Sequence, residues 1–364
     1  MPTALTIRQI DGKPGKVYYP LELISQPSPQ PSTPTDLIIR ISAAALNHRD
    51  LFIRQHLYPG VTFSVPLLAD GCGVVIATGS DPSAQRWLHR RVILNPGTGW
   101  RDDPDGPEDP RGYAIQGATK FNPVGTAAEV VRIAAAEVEE APEHLGDVEA
   151  AALPLTGLTA WRALVSKSGN AAPGRNVLVT GIGGGVALMV LLFAAGMGVN
   201  VYVTSGSEEK LRRAKELGAK GGVVYKEKGW EKKLLEMLPK ERRVIDAIID
   251  GAGGDIMDKA VKLLKVGGVV VQYGMTVSPK MSWSMQAVLK NIELRGSTMG
   301  SRKEFADMVA FVNEKGLRPV ISKVAHGLDN TAAIEDLFDE MKKGSQFGKL
   351  VIDEIGKGGA KSKL

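Results

Sequence analysis

The chain has 364 residues, long enough for two domains that each bury a core. With 43% hydrophobic and 23% charged residues it has the balance of an ordinary globular protein, and its net charge of +5 is dispersed among acids, which argues against a nucleic-acid partner. A single cysteine, Cys72, excludes an internal disulfide and a cysteine-rich metal cluster and fits a reducing compartment.

From Met1 to about Glu140 the pattern is β-rich, with strand candidates at Leu37–Ser42, Gly73–Thr78, Arg91–Leu94 and Ala127–Ile133. Met1 to Lys16 has no hydrophobic region, so no secretory leader is expected. Pro27, Pro29, Pro31 and Pro34 mark an extended surface segment. Cys72, between two glycines in an apolar stretch, reads as a small core residue. Trp100 to Gly112 carries Asp102, Asp103, Asp105, Glu108 and Asp109 among prolines, a solvated acidic loop.

From about Leu153 strands and helices alternate. Val177–Thr180 reads as a buried strand, followed by Gly181, Gly183, Gly184 and Gly185 and then by an apolar helix from Val186 to about Gly196. Glycines let a backbone approach a pyrophosphate, and a helix start offers free N–H donors with a partial positive charge. Residues 181 and 183–186 are therefore candidate dinucleotide contacts. The longest apolar run, Val186 to Ala195, is too short to cross a bilayer, so no membrane association is expected.

The next strand, Val199–Thr204, ends at Ser205, where an NAD site usually places a carboxylate for the ribose hydroxyls. A carboxylate at about 4 Å would repel a 2′-phosphate by about 4 kcal/mol at an effective dielectric of about 20. Serine removes that repulsion, and Lys210 supplies a positive charge, which favours NADPH. Ser207 also suits the cap of the helix bearing Leu211, Ala214 and Leu217. Further strands are expected at Val223–Tyr225, Val244–Asp250, Val269–Tyr273 and Ile292–Arg295, with helices at Trp230–Leu238 and Ile256–Leu264. The run from Lys226 to Arg243 mixes both signs of charge and reads as a solvated helix face. Six β units in this alternation predict an α/β fold with a doubly wound parallel sheet, whose ligands gather at strand carboxyl ends: Gly181, Ser205, Asp250–Gly251 and Tyr273–Gly274. A helix at Lys303–Lys315, a strand bounded by Pro319 and a last strand at Lys349–Ile352 return to the first domain.

Several segments, in this order, resemble the medium-chain dehydrogenase/reductase superfamily, and most closely its zinc-independent quinone oxidoreductase and enoyl reductase branch. They are Ala44-Ala45-Leu46-Asn47-His48-Arg49-Asp50, Gly71-Cys72-Gly73-Val74-Val75, Gly125-Thr126-Ala127-Ala128-Glu129, Leu155-Thr156-Gly157-Leu158-Thr159-Ala160, the glycine turn, and Phe347-Gly348-Lys349-Leu350-Val351. The resemblance implies a GroES-like substrate domain from residues 1–140 and 298–356, a Rossmann NADPH-binding domain from 141–297, an active-site cleft at their junction, and a tail at 357–364. Zinc alcohol dehydrogenases of this superfamily carry cysteine, histidine and cysteine where this chain has Asn47, Ala69 and Thr156. Alanine donates nothing and the other two are poor ligands, so no catalytic zinc is expected.

Without a Lewis acid, the chemistry left open is hydride delivery from NADPH to a quinone or an α,β-unsaturated carbonyl, a small-molecule substrate. The resemblance makes Asn47 and Tyr58 candidates for substrate positioning or proton delivery. It assigns Lys210 and Tyr225 to the extra phosphate, Thr159 to the nicotinamide side, Tyr273 and Gly274 to the carboxamide, and Lys349 to the pyrophosphate. Asp50 is expected to orient backbone or Arg54. Two alternatives stay open: an NADPH-binding protein with little turnover, crystallin-like or RNA-binding, and an alcohol dehydrogenase. A homodimer is the default for this superfamily.

The last three residues, Ser362-Lys363-Leu364, spell the peroxisomal address read by an import receptor, so a peroxisomal matrix location is expected, or a cytoplasmic one if the tripeptide is not read. A fluorescently tagged chain should collect in peroxisomes and spread through the cytosol once Ser362–Leu364 is removed; cytosolic spread of both forms would refute this.

Overall fold

A computed structural model describes residues 1–63, 65–278 and 280–357. The tripeptide Ser362-Lys363-Leu364 lies outside the described residues. The described residues divide into two compact units, Thr156–Gly300 and Met1–Leu155 with residues 301–357.

The unit Thr156–Gly300 is a doubly wound Rossmann sheet. Its strands are β1 (Asn176–Val179), β2 (Asn200–Ser205), β3 (Gly221–Val224), β4 (Ile245–Asp250), β5 (Leu264–Gln272) and β6 (Glu293–Gly296), all parallel, in the order β3-β2-β1-β4-β5-β6. The order reverses beside β1, the switch point at which such sheets take a ligand. Helix α1 (Gly185–Gly196) is buried from Ala187 to Ala194, as its all-apolar sequence requires. Helix α2 (Glu208–Glu216) starts on the Ser207 cap, whose side chain accepts from the Lys210 amide. β3 begins two glycines earlier than its apolar residues predict. A Cβ on Gly222 would sit 2.8 Å from Val203 Cγ2, so here glycine serves close strand packing instead of ending the strand.

The other unit is GroES-like and β-rich. Its seven-stranded sheet runs Ile321–His326, Lys349–Asp353, Asp36–Ala45, Asp70–Thr78, Arg91–Leu94 and Val138–Glu140, with Val130–Ala134 also pairing Asp36–Ala45. Lys349–Asp353 lies antiparallel to Asp36–Ala45, so the late segment completes the sheet begun near the N-terminus. Helix Thr331–Lys343, between the two late strands, buries Ile334, Leu337, Phe338 and Met341 at helical spacing. The unit boundary falls at Leu155, further along than the expected Glu140, because helix Asp147–Ala152 packs on strands Asp36–Ala45 and Asp70–Thr78. No helix among the described residues is long and apolar enough to cross a membrane.

Candidate functional site

In the Rossmann unit the turn after β1 is held from two sides. The Thr180 hydroxyl bonds the Asp250 carboxylate, and the Thr204 hydroxyl accepts from the Gly181 amide at 3.2 Å. Gly181 and Gly183 have φ of 64° and 125°, which side chains with a Cβ rarely adopt. A Cβ on Gly181 would meet nothing within 4 Å, so the turn borders open space. α1 has no side-chain cap; the Leu188 amide donates to the Gly184 carbonyl at 3.0 Å. The amides of Gly185, Val186 and Ala187 at the helix start thus stand ahead of the intrahelical ladder. An open glycine turn against uncapped amides fits the pyrophosphate of a dinucleotide.

Ser205 is the last residue of β2. Its buried hydroxyl accepts from the Ser207 amide at 3.2 Å and fixes the turn into α2. Lys210 lies in the first turn of α2; burial, then the Arg213 charge, lowers its pKa. A Cβ on Gly206 would approach the Tyr225 hydroxyl at 3.1 Å and Lys226 Cε at 3.3 Å, so Tyr225 and Lys226 flank the strand end. Lys226, exposed, was missed at sequence level; its place directly after Tyr225 was the available signal. At the end of β4, Asp250 accepts from Gly253 N at 2.7 Å and Gln272 Nε2 at 2.6 Å. Gly251 is required by its neighbour, since a Cβ there would fall 2.5 Å from the Tyr273 ring. Burial, then Asp250, raises the Tyr273 pKa, so the phenol keeps its proton. Gly274 stacks against Gly251, a Cβ on it lying 3.2 Å from the Gly251 carbonyl oxygen. Thr159 is buried, with its hydroxyl 3.8 Å from Met299 Sδ.

In the GroES-like unit, strand register gathers a second set. Val351 pairs Ala45, so Lys349 stands opposite Asn47, and Ala45 pairs Asp70 on its other side. Lys349 Nζ donates to Asn47 Oδ1 at 2.6 Å and to Asp70 Oδ2 at 2.8 Å. Asn47 Nδ2 donates to the same Asp70 oxygen at 2.9 Å, while Asp70 Oδ1 accepts from the Leu155 amide at 2.8 Å. All three side chains are buried. A pyrophosphate role for Lys349 would require its ammonium to leave both partners.

Asp50 accepts from the Asn47 amide at 2.8 Å and from Arg49 Nη1 at 3.0 Å. The backbone role expected of it is present, but its cation is Arg49; Arg54 instead pairs with Glu335 at 2.6 Å. Arg49 also lies over the half-buried Tyr58 ring, 4.7 Å from its centroid, so Asn47, Asp50, Arg49 and Tyr58 form one linked group. Nearby, burial and the charges of Glu137 and Asp70 raise the Tyr113 pKa, and the Tyr113 hydroxyl has no protein partner. Burial pushes the Cys72 thiol up to about 12, as for an inert core residue. In the acidic loop, Glu108 accepts from the amides of Arg101, Asp102 and Asp103, so its carboxylate ties the loop to itself.

This pairing of folds defines an oxidoreductase that binds a nicotinamide cofactor. Residues 33–143 match the alcohol dehydrogenase GroES-like domain and residues 185–314 the zinc-binding dehydrogenase domain. The chain is 52% identical over 360 residues to the zinc-type alcohol dehydrogenase-like protein YogA of Leptosphaeria maculans, covering 97% of this chain and 100% of that one. It is 27% identical over 341 residues to an acryloyl-coenzyme A reductase of Metallosphaera sedula, covering 90% of this chain and 96% of that one. A crystal structure of an NAD-dependent alcohol dehydrogenase superposes with a TM-score of 0.81 at 32% identity, over 97% of this chain and 99% of that one. The chain belongs to the medium-chain dehydrogenase/reductase superfamily.

The zinc in those family names needs three good N, S or O ligands. The corresponding positions hold Asn47, Ala69 and Thr156, and among the described residues no three His, Cys, Asp or Glu side chains gather as a metal would require. Asn47 Oδ1 already accepts from an ammonium. These residues do not fit a catalytic zinc.

Proposed function

We propose that the chain is a zinc-independent, NADPH-dependent reductase that adds hydride to a small quinone or α,β-unsaturated carbonyl. The observation that carries this reading is the donor set of Asn47, Ala69 and Thr156, which suits no metal, inside an oxidoreductase fold. Alcohol oxidation relies on an electrophile to stabilise alkoxide, whereas a conjugated acceptor spreads the charge of an incoming hydride over its own π system. The relative named acryloyl-coenzyme A reductase supports the enoyl class of acceptor.

NADPH is favoured by the end of β2, where Ser205 replaces a carboxylate and Lys210, Tyr225 and Lys226 supply cations and a phenol. A bound dihydronicotinamide supplies the hydride. The chain's own groups hold it: the turn at Gly181–Gly185 and the first amides of α1 take the pyrophosphate, and the β2 end takes the adenosine phosphate.

A homodimer through β6 accompanies this reading. β6 pairs only with β5 among the described strands, and Leu294 is exposed, as are Met285, Val288 and Leu289 in the helix just before it. Antiparallel pairing of two copies about Leu294 sets Glu293 of each chain opposite Arg295 of the other, a self-complementary charge pattern.

Two outcomes check these readings. At equal ionic strength the chain should bind NADPH more tightly than NADH, and Ser205→Asp should lose at least about tenfold in NADPH affinity by charge repulsion; equal affinities in the wild type would contradict the cofactor assignment. In sedimentation the wild type should run as a dimer and Leu294→Lys as a monomer, and a monomeric wild type would refute the β6 contact.

A further inference from the structure

Lys349 is 4% exposed. An ammonium carries three N–H donors. Two are engaged, by Asn47 Oδ1 and Asp70 Oδ2, and the third has no partner among the described residues. The Asn47 amide nitrogen has two donors; one reaches Asp70 Oδ2 and the other is likewise uncommitted. Both nitrogens therefore hang on a single oxygen of a carboxylate whose other oxygen is pinned by the Leu155 amide. Asp70 cannot swing without breaking three bonds, so it fixes where both leftover N–H groups lie. A buried donor without an acceptor costs about 1–3 kcal/mol, so two neighbouring ones mark a place built for an oxygen the chain does not itself provide.

We propose that the uncommitted N–H groups of Lys349 and Asn47 form an oxyanion-binding pair that receives the carbonyl oxygen of the substrate during reduction. This rests on the hydride-transfer reading above and names the chain's own electrophile for it. When hydride bonds to the β-carbon of an enone, the C=C pair shifts toward the carbonyl carbon and the C=O π pair moves onto oxygen, giving an enolate. Water then protonates the α-carbon, and the carbonyl re-forms. In a quinone the hydride bonds to one carbonyl oxygen, the ring π pairs shift to make the ring aromatic, and the C=O π pair of the other carbonyl moves onto its oxygen, giving an oxyanion that takes a proton from water to yield the hydroquinone. At the enolate stage the oxygen carries most of the negative charge, and a fixed ammonium and amide donor stabilise it more than they stabilise the neutral carbonyl. Asp70 is a positioning residue: it neutralises the ammonium at rest and holds both donors in place.

The test uses Lys349→Met, Lys349→Arg and the pair Lys349→Met with Asp70→Asn. The last removes both charges together, so no carboxylate is left buried alone if the single variant fails to fold. The first measurement is the titration of bound 4-nitrophenol, whose phenolate oxygen imitates an enolate. The wild type should lower its pKa by about one unit or more. Lys349→Arg should retain part of the shift, and both methionine variants should abolish it. An unshifted phenol on the wild type, or one equally shifted on every variant, overturns the donor pair and leaves water as the occupant of those N–H groups. The second measurement is steady-state reduction of an enone and a quinone. Lys349→Met should lose about 10²–10³-fold in kcat while NADPH affinity stays within a few-fold. A loss confined to NADPH affinity, or an undiminished kcat, overturns the proposal. If the wild type reduces neither acceptor, the reductase reading fails, whereas the nitrophenol titration still decides whether Lys349 and Asn47 hold an oxyanion.

Discussion

The contact on which the GroES-like unit's site depends is the ion pair between Lys349 and Asp70, with Asn47 bonded to both. Neither charge tolerates burial alone, since an isolated ion taken from water costs several kcal/mol. The three side chains therefore specify one another. They also specify the sheet: a one-residue slip of Lys349–Asp353 against Asp36–Ala45 would turn Lys349 to the opposite face and leave Asp70 without its cation. Local electrostatics and long-range topology enforce the same register.

In the Rossmann unit the corresponding constraint is backbone shape. Thr180, Thr204 and Asp250 pin a turn whose glycines occupy angles other residues avoid, and the next helix starts with its amides free. The β2 end there carries Ser205 in place of a carboxylate. On the reading proposed above, the backbone N–H groups of the glycine turn would hold the cofactor, and Lys349 and Asn47 would supply a fixed cation and an amide to the substrate.

The parts of this arrangement readable from sequence are those written over short stretches. The glycine turn, its flanking strand and helix, and Ser205 lie within thirty-odd residues, and each carries its signal locally. The helix Thr331–Lys343 carries an equally local signal, because Ile334, Leu337, Phe338 and Met341 recur at helical spacing. Gly221 and Gly222 hid the start of β3, since glycine is depleted in strands and nothing in the sequence shows the Val203 side chain that demands it. The partner of Lys349 could not be read at all. It lies 302 residues away, and only the pairing of Val351 with Ala45 brings the two together. In sequence Lys349 reads only as a cation that could meet a pyrophosphate; its engagement with Asn47 and Asp70 is a property of the sheet. Asp50 likewise pairs with its sequence neighbour Arg49, while Arg54 packs away toward Glu335.

The most direct measurement is elemental analysis of the purified chain, combined with NADPH turnover before and after treatment with a chelator. The expected result is no stoichiometric zinc and undiminished turnover, because Lys349 already supplies the positive charge at Asn47. Tightly held zinc at one ion per chain, with turnover lost to the chelator and restored by added zinc, would contradict it.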